Sequence, residues 1–99
     1  MLNIAICDDE AAQIEYLTSI VSEWAKKSEI SVSVSGFLSA EAFLFKYEED
    51  KNFDILLLDI QMKAMDGIKL AEKIRENNSS VQIIFITGFS DYISRGYDV

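Results

Sequence analysis

Three short apolar runs, each ending in polar groups, constrain this chain more than any other feature. Leu2 to Cys7 ends at Asp8 and Asp9, Phe53 to Leu58 ends at Asp59, and Val81 to Ile86 ends at Thr87. Apolar runs that do not alternate read as strands buried on both faces. Between them the period changes to that of a helix. From Ala11 to Lys27, residues Ile14, Leu17, Ile20, Val21 and Trp24 recur at helical spacing, and Ser39 is placed to cap a helix running to about Glu49. Asp66 and Gly67 open a further helix with Ile68, Ala71 and Ile74 turned inward, which fades at Asn77-Asn78-Ser79-Ser80. Ile30, Val32 and Val34 alternate with Ser31, Ser33 and Ser35, as in a half-exposed strand, and the stretch from Ser90 to Val99 reads as the start of a fourth helix.

Strands alternating with helices predict an α/β fold: a doubly wound parallel sheet with helices on both faces, joined by right-handed crossovers. In open sheets of this kind ligands bind beyond the carboxyl ends of the strands. Asp8, Asp9, Asp59 and Thr87 all stand at such ends. Three strands far apart in sequence thus deliver chemistry to one edge, and this convergence is the strongest functional signal in the chain.

Composition narrows the rest. Ninety-nine residues without a repeat, a low-complexity tract or a Pro/Gly/Ser linker make one domain, 1–99. With 49% hydrophobic and 26% charged residues the chain can build a core, which a disordered chain could not. No apolar run is long enough to cross a bilayer, and Met1-Leu2-Asn3 lacks the basic flank of a signal peptide. A single cysteine, Cys7, set among Ile4, Ala5 and Ile6, points to a buried strand position in a reducing cytoplasm. The formal charge of −8 repels phosphate backbones, which argues against direct nucleic-acid binding by this chain. Most of the acids read as a solvated surface; Asp8, Asp9 and Asp59 do not.

Three carboxylates brought together repel one another unless a cation or water screens them. A hard divalent cation answers that need, and Mg2+ fits best because it takes one or two carboxylates while keeping waters that a phosphate can replace. The competing reading makes Asp8 and Asp9 an acidic turn at a helix start, favoured by the helix dipole, with Asp59 an ordinary strand-end acid. For Asp9 alone the two readings are evenly matched; for three acids and a hydroxyl at one edge, metal-assisted phosphate chemistry is the better account. Asp59 is then a nucleophile toward phosphorus, and Thr87 a hydroxyl donor to a phosphoryl oxygen, against its alternative as a β-branched strand end. Ser90 fits a helix cap better than a ligand. Trp24 reads as core on its helix, Met62 and Met65 as packing for the loop after Asp59, Lys26-Lys27 as a solvated helix end, and Glu10 as a helix-start acid rather than a neighbour of the metal.

The stretches Ile4-Ala5-Ile6-Cys7-Asp8-Asp9-Glu10, Leu56-Leu57-Leu58-Asp59-Ile60-Gln61-Met62 with Met65-Asp66-Gly67, and Ile84-Phe85-Ile86-Thr87-Gly88 resemble, in order, the three signature stretches of response-regulator receiver domains. The resemblance implies a flavodoxin-like sheet of order 2-1-3-4-5. It implies that Asp59 is the phosphoacceptor, that Mg2+ is bound by Asp9, by Asp8 directly or through water, by Asp59, and by the backbone carbonyl of Gln61, and that Thr87 is the switch hydroxyl. It implies a sensor histidine kinase as partner and an output, transcription control through a DNA-binding domain, that lies outside this chain. Phe37-Leu38-Ser39-Ala40-Glu41 and Ile86-Thr87, followed by Tyr92, Gly96 and Val99, are also similar to receivers joined to LytTR-type domains.

Two departures matter. Lys63 stands where the family usually has a proline, which loosens the loop. The fifth strand, with its phosphoryl-contacting lysine, and the fifth helix do not occur before Val99, so the domain is expected to be C-terminally incomplete. Val81 to Ile86 is then a free edge, and self-association is expected of it. Three other readings compete. A phosphohydrolase of the haloacid-dehalogenase type would need an acid two residues after its nucleophile, where Gln61 cannot move a proton. A nucleotide- or flavin-binding domain would need glycines or hydroxyls where Asp8-Asp9-Glu10 stand. A pseudo-receiver that is never phosphorylated would not need the acids.

Overall fold

The computed structural model describes residues 1–86. Thr87, Ser90 and the predicted fourth helix, with Tyr92, Gly96 and Val99, lie outside the described residues. The elements are β1 (Leu2–Cys7), α1 (Ala11–Lys27), β2 (Val32–Phe37), α2 (Ala40–Glu49), β3 (Ile55–Asp59), α3 (Gly67–Arg75) and β4 (Gln82–Ile86). The strands form one parallel sheet of order β2-β1-β3-β4, the described part of the order the resemblance implied. The expected doubly wound α/β architecture is the observed one.

Strand alternation sorts each apolar run between two cores. Ala5 and Cys7 of β1 and Leu56 and Leu58 of β3 face α2 and α3, where they meet Ala40, Phe43 and Tyr47 and then Leu70, Ala71 and Ile74. Phe43 sits edge-on to Phe37 at 5.2 Å and stacks with Tyr47 at 5.4 Å, so this side closes around aromatic rings. Ile4, Ile6 and Leu57 face the other way, onto Ile14, Leu17 and Val21 of α1. Burying one such side chain contributes about 1.5–3 kcal/mol, so these two cores hold the sheet that positions the acids.

The helix ends follow from local chemistry. The Ser39 hydroxyl accepts the Ala42 N–H at 3.0 Å and the Asp66 carboxylate accepts the Lys69 N–H at 2.9 Å, capping α2 and α3 as the sequence predicted for Ser39. α1 ends in a Schellman turn: the Ile30 N–H is donated to Ala25 at 2.9 Å and Glu29 takes φ 56°. That bond corrects the expected start of the second strand, because Ile30 is spent closing α1 and β2 begins at Val32.

Three other expectations need correction. Ile20 and Trp24 are not core residues: they are 47% and 45% exposed, and the inner stripe of α1 is Ile14, Leu17, Val21 and Ala25. On α3 the fully buried side chain is Leu70, beside Ala71 and Ile74, while Ile68 is only half-buried. The third apolar run is also not buried on both faces: Ile83 and Phe85 pack toward α2 and α3, but Ile84, on the α1 side, is 48% exposed. Among the described residues α1 is the one helix on that face, and a single helix does not reach across to β4.

Candidate functional site

The sheet register builds the site. Cys7 pairs with Leu58, so the next residues, Asp8 and Asp59, emerge side by side from adjacent strands at the carboxyl edge. Asp9 follows on the turn into α1. One carboxylate oxygen from each of Asp8, Asp9 and Asp59 lies within 4.8 Å of the other two. Burial is graded: Asp8 is 5% exposed, Asp59 half-buried and Asp9 exposed. The cluster therefore opens to solvent on one side while its base is buried.

Backbone donors fix two of the three carboxylates. Asp8 Oδ1 accepts the Glu10 N–H at 2.9 Å, and Asp59 Oδ1 accepts the Gln61 N–H at 3.3 Å. Glu10 itself occupies the N-cap position of α1 without a side-chain cap bond. Burial, and the charge of Asp9 and Glu10, push the Asp8 carboxyl up against the lowering effect of its backbone bond. Asp59 is pushed up from 3.8 to about 6, first by burial and then by the charge of Asp8, with Asp9 and Glu10 adding to it and the Gln61 N–H opposing. Among the described residues, the charges that act on Asp59, those of Asp8, Asp9 and Glu10, are all of one sign. Two carboxylates at such separations repel by roughly 3 kcal/mol at an effective dielectric constant of about 20. A hard divalent cation is the complement of this donor set: three carboxylate oxygens from two strand ends and a turn, with an open side for water or a phosphoryl group.

Beneath the acids Cys7 is an inert thiol. Burial, helped by Asp8, Asp59, Glu41 and Asp9, pushes it up to about 12, so it stays protonated. Its Sγ donates to the Ser39 carbonyl at 3.3 Å and touches Met62 Sδ at 3.6 Å. One side chain thus ties the end of β1 to the entry of α2 and to the loop after β3. Met62 and Met65 pack onto the same core, as the sequence suggested. The loop closes where the Gly67 N–H is donated to the Ile60 carbonyl at 3.0 Å, and it reverses at Ala64, whose φ is 62°. Gln61 stands on this loop two residues after Asp59, and Lys63 is exposed at its tip.

Of the predicted site residues, the structure brings Asp8, Asp9 and Asp59 together and sets Gln61 beside them; Thr87 lies outside the described residues, although Ile86, which precedes it, pairs with Asp59. Two participants gave no chemical signal in the sequence. Glu41 adds to the field at Cys7, and the Ser39 carbonyl receives the thiol. Both follow from how the start of α2 docks beside the end of β1, which only the fold supplies.

The sequence profile of the response regulator receiver domain matches residues 4–98. The chain is 29% identical to the transcriptional regulatory protein NatR of Bacillus subtilis over all of its own length and 40% of that protein's. It is 28% identical to the heme response regulator HssR of Staphylococcus epidermidis, again over its whole length and 47% of the relative's. The chain therefore spans less than half of these curated relatives. Among solved structures, the response regulator protein TrrA of Thermotoga maritima, crystallised in complex with Mg2+-BeF, superposes with a TM-score of 0.82 at 29% identity, covering 95% of this chain and 76% of that one. With its sheet order, its acidic carboxyl edge and a profile match across nearly every residue, the chain belongs to the response regulator receiver domain family.

Proposed function

We propose that this receiver domain is a phosphoacceptor, taking a phosphoryl group from a sensor histidine kinase onto Asp59 with Mg2+ held by Asp8, Asp9, Asp59 and the backbone carbonyl of Gln61. The observation that carries the proposal is the meeting of three carboxylate oxygens within 4.8 Å at the edge where β1 and β3 end. The likeness to TrrA, solved with Mg2+-BeF, supports it. When bound, Mg2+ neutralises part of the carboxylate charge and polarises the phosphoryl oxygens.

The remaining work falls to the chain. The Gln61 N–H holds Asp59 Oδ1, and among the described residues no donor holds the other carboxylate oxygen. A carboxylate oxygen of Asp59 attacks phosphorus; a P–O bond forms as the P–N bond of the phosphohistidine breaks, and the electron pair leaves on the imidazole nitrogen. With its proton lost at about 6, Asp59 is ionised and nucleophilic at neutral pH. Asp8, buried and fixed by the Glu10 N–H, sets a second carboxyl beside that reaction, where a bound cation would screen it. The Thr87 hydroxyl, one residue beyond the Asp59 partner Ile86, is assigned to the phosphoryl oxygens as the switch. The output is a changed surface in a cytoplasmic regulator of transcription, read by a DNA-binding domain of the LytTR type rather than by this acidic chain.

Incubation with a small phosphodonor and Mg2+, followed by intact-mass and peptide analysis, tests the proposal. One phosphoryl group on the peptide carrying Asp59, and none on Asp59→Ala, is expected. Labelling of Asp59→Ala at unchanged yield, or steady turnover of a generic phosphate ester, would overturn it.

A further inference from the structure

Gly67 is the buried first residue of α3, and its place has no room for a side chain. A Cβ built there would overlap the carbonyl oxygen of Asp59 and lie 3.0 Å from the Asp59 carbonyl carbon and 3.1 Å from the Ile60 Cα. All three are backbone atoms, so no rotamer change relieves the clash. The same residue donates its N–H to the Ile60 carbonyl at 3.0 Å, closing the loop from Ile60 to Asp66 at its base. Inside that loop the Gln61 N–H reaches back to Asp59 Oδ1. The other end of the glycine is held as well, because the Asp66 carboxylate caps α3 and Leu70 and Ile74 anchor the helix in the core.

We infer that Gly67 is a positioning residue for the cation site: by lacking a side chain it lets α3 press against the backbone of Asp59, and that contact sets where the Asp59 carboxylate and the Gln61 carbonyl stand relative to Asp8 and Asp9. The inference rests on the proposed Mg2+ site and adds to it a residue that touches neither metal nor phosphate. A methyl group at 67 pushes apart α3 and the end of β3. The displacement falls on Asp59 and the loop, because the far side of α3 is locked in the core. Groups that orient metal ligands without binding metal change affinity by ~10–100-fold, and a loss of about tenfold for Mg2+ is expected here.

The experiment is an NMR titration with MgCl2 of the wild type, Gly67→Ala and Gly36→Ala, with urea unfolding of each alongside. Gly36→Ala is the control, since the three atoms nearest its Cβ all belong to the Ile14 side chain, the closest Cγ2 at 2.7 Å, and none to the backbone of Asp59 or the loop after it. The wild type and Gly36→Ala are expected to saturate alike, and a folded Gly67→Ala to need about tenfold more Mg2+. A folded Gly67→Ala that binds like the wild type overturns the inference and leaves the proposed function standing. A wild type that shows no shifts at Asp8, Asp9 or Asp59 overturns both. Should Gly67→Ala fail to fold, the wild-type Gly67 amide decides: its exchange protection is expected to rise with Mg2+ saturation, because coupling between the contact and the site is reciprocal, and unchanged protection overturns the inference.

Discussion

Leu58 and Asp59 are neighbours on β3, and they show how differently the interior and the carboxyl edge of this sheet are built. Leu58 is fully buried beside Cys7 and the helices α2 and α3, in a cluster of apolar side chains whose removal from water favours the fold. Asp59, one residue later, stands beside Asp8 with its pKa raised, so its charged form disfavours the fold that creates it. The interior supplies stability, and the edge uses some of it to hold like charges where a ligand can find them. Sequence-level rules are broken at functional sites in this way and satisfied elsewhere.

The largest effect expected from this contrast belongs to the interior. Phe43 is fully buried, contacts Phe37, Tyr47 and Phe53, and packs over β1 and β3. Phe43→Ala should destabilise the domain by about 3–5 kcal/mol, a large share of the ~5–15 kcal/mol that a domain has. Urea unfolding measures it. In the fraction that stays folded, Mg2+ affinity should match the wild type. An equal loss of affinity and stability would mean that interior and edge are not separable.

Asp59→Asn should act in the opposite direction, with a smaller magnitude. The Asp59 carboxyl rises from 3.8 to about 6 on folding. Below pH 3.8 it is protonated in both states and costs nothing. As pH rises from 3.8 to about 6 the unfolded chain releases a proton that the folded chain retains, so stability falls across that window and stays lower above it. The variant removes this loss. Its urea midpoint should therefore exceed the wild type's at about pH 7.5, and the gap should narrow at about pH 5. Mg2+ at ten times its Kd should lift the wild type by about 1.4 kcal/mol and the variant by far less. A gap that widens toward low pH would show that Asp59 is not strained in the folded domain.

The edge was more legible in the sequence than the interior around it. Asp8, Asp9 and Asp59 each end an apolar run, and parallel strands align such ends whatever the details of packing; the motif stretches then named the family. Hydrophobicity does not say how many helices cover a strand, however. Val81 to Ile86 reads like Leu2 to Cys7, yet Ile84 is half-exposed while Ile4 and Ile6 are buried, because among the described residues α1 is the one helix on that face and its contacts go mainly to β1 and β2. Ile30 carried a strand pattern that a backbone bond to Ala25 overrode. The role inferred for Gly67 depends on a backbone approach that no side-chain pattern records.

The smallest expected effect lies where the interior is least complete. Ile4, Val21, Trp24, Ile55, Leu57 and Ile84 line an apolar groove of about 220 Å³ between α1 and the sheet. Trp24 lines it and keeps nearly half of its surface in water. Full truncation of a buried tryptophan costs ~3–5 kcal/mol, of which a half-exposed ring that leaves no enclosed cavity should lose only a part, about 1 kcal/mol. Trp24→Ala should therefore shift the urea midpoint much less than Phe43→Ala, and leave Mg2+ affinity unchanged because no residue of the acidic cluster lines the groove. A loss matching that of Phe43→Ala would mean that the α1 face is packed in solution as tightly as the α2 and α3 face. The difference between the two sides of the sheet would then lie in the ring sizes they use and not in how completely each is covered.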